Sequence, residues 1–598
     1  MERAIDAFGL VLVPALPLAM MLAWCVPGWR CRIECWTPWA ALPALLLALS
    51  GAQGVSVRLD AMLFGTVLAL DDVSRVFLAF TALLWLGAGF YSRGTLAGDE
   101  RASAFRLLWL ATMAGNFGLI LARDLASFYA SFALMSFAAY GLVIHDRSRA
   151  ALHAGRVYLA MAVIGEGLII AGLLLAAGAS TAPQAPLLAD LPAAIAASAS
   201  RDLTIACLIA GFGIKAGLPL LHMWLPLAHP VAPVPASAVL SGAMIKAGLL
   251  GWLNTLPLGL LALPQWGGAL ITVGFVAAFG AAAIGIHQRK PKTVLAYSSI
   301  SQMGLITVGV GAGLHQPALW PALAPAIALY ALHHGLAKGA LFLGVGIAPA
   351  LAGLQGGRRR ALWLALALPG LALSGPMVSG AAAKISLKSA LAAGIVTPSW
   401  WQHLPLVLSL AAVGTTALIA RYLWLLAHSL REGAAHQPDD HPHPAPVAAQ
   451  WLGWGLVLGA SVGGLILLPW VPVPAGFPPD PAYLPDLLWP VLLGGVLAVW
   501  AARRLRVWPL PAGDVLVPLL GLLRALAEQG RRIGCQAAEV AAHLKRQCTP
   551  AREAGAEAIA PPPANPLELA LRRHAALLFA LLAAGGLVLI VALSGAAR

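Results

Sequence analysis

Charge is scarce in this chain, and acidic charge scarcest of all. Only 10% of its 598 residues are Asp, Glu, Lys or Arg, while 60% are hydrophobic; a soluble domain carries about 25% charge. That shortage excludes an ordinary soluble fold. Cysteine is sparse too. Cys25, Cys31, Cys35, Cys207, Cys535 and Cys548 are scattered without a CxxC or ferredoxin-like spacing, so neither an iron–sulfur cluster nor a structural zinc is expected in the chain. Short strands of alternating polarity are missing, which excludes a membrane barrel. The first apolar run has no basic lead and no small-residue cleavage site, so it reads as a retained helix and not a signal peptide.

What fills the chain instead is apolar runs of roughly 20 residues, each long enough to cross a hydrocarbon core of about 30 Å. The expected class is an all-α polytopic membrane protein with about sixteen spans. Spans one to three lie in 1–103, four to eight in 104–255, nine to thirteen in 264–427, fourteen and fifteen in 449–502, and the last in 570–594. Between them, 513–546 places Leu516, Leu520, Leu523, Ile533, Val540 and Leu544 near helical spacing, with arginines and lysines elsewhere. That pattern predicts an amphipathic helix lying on the membrane surface. The polar, Pro-rich stretch His428–Pro444 reads as a solvated loop, although its histidines with Asp439 and Asp440 admit a metal.

The net charge of +14 does not imply nucleic acid, because the basic residues sit in short loops between spans, where they set topology. Odd-numbered loops hold Arg30, Arg93, Arg147, Arg289, Arg358, Arg421 and Arg503 with their neighbours; even-numbered loops hold little beyond Arg58, Arg123 and Arg201. Odd loops are therefore predicted to be cytoplasmic and both termini to face outward.

Two spans carry helix breakers in their middles. Span seven reads IKAGLPLLHMWLP, with Pro219, and span twelve reads LALPGLALSGPMVSGAAAKISLK, with Pro369 and Pro376. Proline removes a backbone donor and clashes with the preceding turn. Such breaks survive at membrane depth only where protein or a wet cavity satisfies the freed groups. Broken helices at matching places in two halves point to an inverted-repeat transporter and its ion site.

Lysine is the strongest chemical signal. The chain has eight lysines against thirty arginines, and Lys215, Lys246, Lys338, Lys384 and Lys388 fall inside apolar spans. A lysine at the centre of a bilayer costs about 3 kcal/mol on insertion scales. Arginine stays charged at any accessible pH, whereas a desolvated lysine can give up its proton. A proton relay needs groups that exist in both states. Snorkelling to the interface explains Lys292 and Lys388 but fits Lys215, Lys246 and Lys338 poorly, since each has many apolar residues on both sides. Glu166, mid-span in helix six, is the natural partner for Lys215: at roughly 4 Å and an effective dielectric near 20 the pair is worth about 4 kcal/mol. A structural ion pair is the plainer alternative. His222, His333 and His334 add groups that titrate near neutrality. Adjacent His333 and His334 point to different faces, which argues against a haem.

Together KAGLPLLHMWLPLAHPVAPVPASAVLSGAMIKAG (Lys215–Gly248), KTVLAYSSISQMG (Lys292–Gly304), HGLAKGALFL (His334–Leu343) and SGAAAKISL (Ser379–Leu387) resemble the antiporter-like membrane subunits of the respiratory complex I superfamily. The likeness is nearest to the large membrane subunit of the hydrogenase-4 and formate hydrogenlyase type, and covers about residues 65 to 425. It implies two inverted five-helix repeats, broken helices seven and twelve, and a hydrophilic axis. Residue by residue it implies that Lys215 is the helix-seven lysine, Lys246 a helix-eight lysine, His334 and Lys338 the helix-eleven pair, and Lys384 the helix-twelve lysine near the exit. The family's helix-five glutamate falls on Ala133, so Glu166 is expected to substitute for it.

The resemblance implies a proton-translocating subunit of a redox-driven complex in a bacterial inner membrane. The chain would hold no cofactor itself. Flavin, iron–sulfur or nickel–iron centres would reside in partner subunits of an NADH-quinone oxidoreductase or membrane-bound hydrogenase type. Two alternatives stay open: a subunit of a multisubunit sodium/proton antiporter, or a membrane partner that moves no ions, for example in inorganic-carbon uptake.

Overall fold

A computed structural model describes residues 2–504, apart from 51–53, 64, 181–185, 395–398, 433–445, 469 and 472–482, together with 510, 511, 521, 528 and 529. The expected surface helix at 513–546, the span at 570–594 and most of the His428–Pro444 stretch lie outside the described residues.

Among the described residues, thirteen helices are long and apolar enough to cross a membrane. With no water in the bilayer core, every backbone group must be satisfied inside its own segment, and helices do this. The molecule is therefore a polytopic helical membrane protein. The helices that carry the polar centre are α1 (Leu125–Val143), α2 (Arg149–Ala179), α3 (Arg201–Ala216), α4 (Trp224–Val231), α5 (Val234–Thr255), α6 (Pro291–His315), α7 (Trp320–Ile347), α8 (Gly356–Ser374), α9 (Val378–Ala392), α10 (Leu404–Glu432), α11 (Ala448–Leu467) and α12 (Leu484–Arg504).

The two expected breaks are present. Span seven is α3 and α4, separated at 217–223, and span twelve is α8 and α9, separated at 375–377. Helix α3 ends because Gly217 takes a left-handed conformation (φ 83°) and its N–H closes on the Gly213 carbonyl; only glycine enters that region without a steric penalty, and Pro219 then forbids continuation. Trp224, opening α4, donates its indole N–H to the Ile214 carbonyl at 2.8 Å. That bond satisfies one of the carbonyls which a helix end leaves free.

Two features have no counterpart in the sequence reading. Residues 56–69 form a small antiparallel hairpin, β1 (Ser56–Leu59) with β2 (Thr66–Ala69). Asp124, capping α1 through the Ser127 N–H, also accepts from the Val67 N–H at 2.8 Å, so one carboxylate pins the hairpin to the helix. The second is a π-turn over Leu240–Met244, inside α5. Helices α5 and α7 approach closely: a Cβ on Gly242 would stand 2.9 Å from the Gly335 carbonyl, and one on Gly335 2.8 Å from the Gly242 carbonyl.

Candidate functional site: a line of buried lysines

Four expected lysines are buried where the helices meet: Lys215, Lys246, Lys338 and Lys384. An ammonium out of water needs acceptors for its protons, and each of the four finds at least one.

Lys215 stands in the last turn of α3, where the negative end of the helix dipole favours a cation. Its Nζ donates to Ser136 Oγ of α1 at 3.1 Å and to Tyr158 Oη of α2 at 3.2 Å. Tyr158 in turn donates to the Ser136 carbonyl at 2.8 Å. The rings of Tyr158, Trp224 and Phe132 surround the amine at 5.5, 5.9 and 6.0 Å, close enough for cation–π attraction.

Glu166 lines the same small cavity as Ser136, Tyr158 and Lys215. No direct ion pair joins Glu166 to Lys215 among the described residues; Ser136, whose hydroxyl accepts from Lys215, lines the cavity beside both. The expected 4 Å contact is therefore not made directly. At about 6 Å and a dielectric near 20 the attraction is roughly 3 kcal/mol. Glu166 Oε2 is buried without a hydrogen-bond partner, and the cavity, of ≈ 20 Å³, has room for the water that would satisfy it. Helix five does face Lys215, through Ser136, one turn beyond Ala133.

The next two lysines flank one cluster of polar groups drawn from three helices. Lys246 Nζ donates to the Ser241 carbonyl at 2.6 Å. Ser241 lies in the π-turn, whose altered pairing leaves carbonyls open to other donors. Ser241 Oγ shares a proton with Ser299 Oγ of α6 at 2.7 Å. Ser299 Oγ donates to the Leu295 carbonyl at 2.9 Å, and Lys338 Nζ of α7 donates to that same carbonyl at 3.0 Å. His334 is completely buried, and neither ring nitrogen has a hydrogen-bond partner among the described residues. It lies within electrostatic reach of both Lys246 and Lys338.

The neighbouring His333 turns the other way. Its Nδ1 meets Ser379 Oγ of α9 at 3.0 Å, and Ser379 donates to the Ser461 carbonyl of α11 at 3.1 Å. His333 lies within reach of Lys384 as well as Lys246, so it occupies the interval between the central pair and the second broken helix. Lys384 Nζ donates to the Ser374 carbonyl at 2.6 Å. Ser374 is the last residue of α8, so this amine reaches across the break to the negative end of the other half-helix, repeating the logic of Lys215.

All six expected site residues are buried: Lys215 with Glu166 at one cavity, Lys246, His334 and Lys338 together at the centre, and Lys384 at a second cavity. His222 packs edge-on to Tyr297 at 6.4 Å. The sequence reading missed Ser136, Tyr158, Ser241 and Ser299, whose residue types carry no signal of their own. It also missed His229, wholly buried and stacked on Phe342 at 4.6 Å. His229 has both nitrogens unpartnered, with Lys292, Lys338 and Lys246 around it. A histidine between prolines in an apolar run was the available clue.

Residues 122–379 match the family described as NADH:quinone oxidoreductase/Mrp antiporter, TM. Hydrogenase-4 component B of Escherichia coli (strain K12) is 31% identical over 296 residues, which cover 47% of this chain and 43% of that protein. Formate hydrogenlyase subunit 3 of the same organism is 41% identical over 144 residues, covering 23% of this chain and 24% of the relative. The chain therefore spans less than half the length of each of these relatives. Among solved structures, the Mrp complex from Dietzia sp. DQ12-45-1b shares the fold: TM-score 0.63 at 20% identity, over 81% of this chain and 99% of that one.

Proposed function

We propose that this chain, an antiporter-like member of the complex I superfamily through residues 122–379, moves protons through the membrane as one subunit of a redox-driven complex. The path runs from Lys215 through Lys246, His334 and Lys338 to Lys384. The single observation that carries this reading is the shared buried cluster at the centre: Lys246 on the Ser241 carbonyl, the Ser241 hydroxyl on Ser299, and Ser299 and Lys338 on one Leu295 carbonyl. A structural ion-pair network would pair lysines with carboxylates; among the described residues none of these lysines does so directly. Amines bonded to carbonyls and hydroxyls lose little when they are neutral, because a neutral amine still donates. That is what a group needs if it is to hold and release a proton in turn.

In this reading Glu166 governs Lys215. While the carboxylate is ionised and near, it holds the ammonium; when the two move apart, that stabilisation of about 3 kcal/mol is withdrawn and the proton passes inward. Each transfer breaks one N–H bond and forms another, directly or through a hydroxyl or water, so a single positive charge travels the line.

The finer architecture belongs to the same proposal. It comprises sixteen spans, inverted repeats over 104–255 and 264–427, a surface helix at 513–546, and both termini on the outer face of a bacterial inner membrane. The partners would be subunits of an NADH-quinone oxidoreductase or membrane-bound hydrogenase type, and these would carry the flavin, iron–sulfur or nickel–iron centres.

Lys215→Ala tests the reading. In sealed vesicles bearing the assembled complex, redox turnover should persist or slow while proton uptake falls by tenfold or more, as expected when about 1.4 kcal/mol or more is lost from an obligatory step. Unchanged proton uptake at normal turnover would refute it. A second reading has support because the matched family joins quinone oxidoreductases with Mrp antiporters: a cation/proton exchanger without a redox partner. A complex purified in mild detergent with no iron or nickel, showing sodium-dependent proton exchange, would favour that reading.

A further inference from the structure

We propose that Lys388 and Asp486 form the mouth through which the Lys384 end of the line exchanges protons with the adjoining aqueous face. The inference rests on the translocation reading above and extends it to two residues outside the line itself.

A cavity of ≈ 20 Å³ lies beside the second broken helix, large enough for a water molecule. Its inner wall is Tyr330, Ser374 and Lys384, all buried. Its outer wall includes Ser409, the half-buried Lys388 and the exposed Asp486. Lys384 and Lys388 are four residues apart on α9, so they share a face one turn from each other. Lys384 is held inward by the Ser374 carbonyl, whereas Lys388 has no hydrogen bond to protein among the described residues and lies within reach of the Asp486 charge.

Asp486 is held there by packing. It sits in the first turn of α12. The next residue, Leu487, is buried in a small apolar cluster with Ala381 and Ile385 of α9, the residues immediately flanking the turn that carries Lys384. Leu487 therefore fastens the start of α12 against the helix of the two lysines, and Asp486 is set at the opening. No direct ion pair closes the gap between Asp486 and Lys388 among the described residues, which leaves space for bridging water.

The arrangement repeats that of the other end. There a lysine of a broken helix shares a cavity with a tyrosine, a serine and a carboxylate from a neighbouring helix: Lys215 with Tyr158, Ser136 and Glu166. Here Lys384 shares one with Tyr330, Ser409 and Asp486. Each end of the line has an acid, and the second acid is at the surface.

The step balances simply. An N–H bond of the Lys384 ammonium breaks as cavity water takes the proton, and a proton of that water forms the new N–H bond on Lys388. Lys388 then releases a proton to bulk water. The Asp486 carboxylate favours arrival of the proton at Lys388 and keeps the opening wet. Lys384, Lys388, Asp486 and Tyr330 are the titratable groups on the walls, and Tyr330 donates its hydroxyl to Gln302 Oε1 at 3.0 Å.

The test uses the whole complex in sealed vesicles, with rates normalised to assembled complex. Asp486→Asn and Lys388→Gln should each slow redox-driven proton translocation about five- to tenfold. Asp486→Asn should also move the pH profile of translocation toward acid, since protonating Lys388 loses its nearby anion; Asp486→Glu should restore both rate and profile. A merely structural Asp486 would leave the profile in place and is thereby separated. Wild-type rates and profiles in Asp486→Asn and Lys388→Gln, with Lys215→Ala inactive, would overturn the mouth and leave the translocation reading standing. Wild-type behaviour in all three would overturn both.

Discussion

Removing one hydroxyl from the centre of the line gives the sharpest test of how it conducts. Ser299 Oγ lies 2.7 Å from Ser241 Oγ and 2.9 Å from the Leu295 carbonyl that also receives Lys338, and both serines are completely buried. Ser299→Ala deletes the bridge and leaves the Ser241 hydroxyl without that partner. A buried polar group stranded in this way costs about 1–3 kcal/mol, against about 1 kcal/mol for an ordinary hydrogen bond. Placed on the barrier to proton transfer, the same energy slows translocation by roughly 5- to 150-fold. The double variant Ser241→Ala/Ser299→Ala separates structure from conduction. With both hydroxyls gone nothing is stranded, so thermal stability of the complex should return close to wild type, while the gap between Lys246 and Lys338 stays open and translocation stays slow. Proton uptake by sealed vesicles, measured with a fluorescent ΔpH probe at matched redox turnover, reads the second quantity; loss of assembled complex on heating reads the first. If the double variant regains translocation along with stability, the serine pair is a packing device and the conducting role assigned to it is refuted.

Three further outcomes follow from the geometry. Glu166→Gln keeps the shape of the first cavity but removes roughly 3 kcal/mol of attraction at Lys215; translocation should fall up to about a hundredfold with little loss of assembled complex, and equal rates would remove Glu166 from its role. Tyr158→Phe takes away one of the two hydroxyls that accept from Lys215 and frees the Ser136 carbonyl; it should cost about 1–3 kcal/mol of stability, seen as a lower midpoint on heating. Gly335→Ala puts a Cβ 2.8 Å from the Gly242 carbonyl. Overpacking at such a contact costs about 1–3 kcal/mol, and because the contact sets the spacing between the helices of Lys246 and Lys338, translocation should drop more than the yield of complex does; a proportionate drop in both would argue against that spacing role.

How much of this could be read beforehand depended on how rare each residue type is in its setting. A lysine or glutamate in an apolar run is conspicuous, so Lys215, Lys246, Lys338, Lys384 and Glu166 stood out, and their burial together agrees with the reason they stood out. The breaks were equally legible, because Pro219 and Pro376 leave the chain few options. Serine and tyrosine are too common to attract notice, yet Ser136 and Tyr158, and not Glu166, accept directly from Lys215. Ser241 depended on a π-turn, which leaves no mark in hydrophobic periodicity. Asp486, at the very start of the expected fifteenth span, drew no notice because its meaning comes from Leu487 and a helix about a hundred residues earlier. The hairpin over 56–69 was hidden for a different reason: two four-residue strands are too short to show an alternation, and what holds them is a carboxylate distant in sequence.

The widened turn in α5 fixes an azimuth. An ordinary helix advances about 100° per residue, and the turn over Leu240–Met244 absorbs one residue more than ordinary winding would. Deleting a single residue there would let the segment rewind regularly, swinging Lys246 and everything after it by about that angle relative to Ser241. The amine would then face a different neighbour, with no change in its identity or in the length of the oily stretch around it. The one surplus residue thus acts as an indexing key for the helix, and chains that lack it would have to take their central amine from another position.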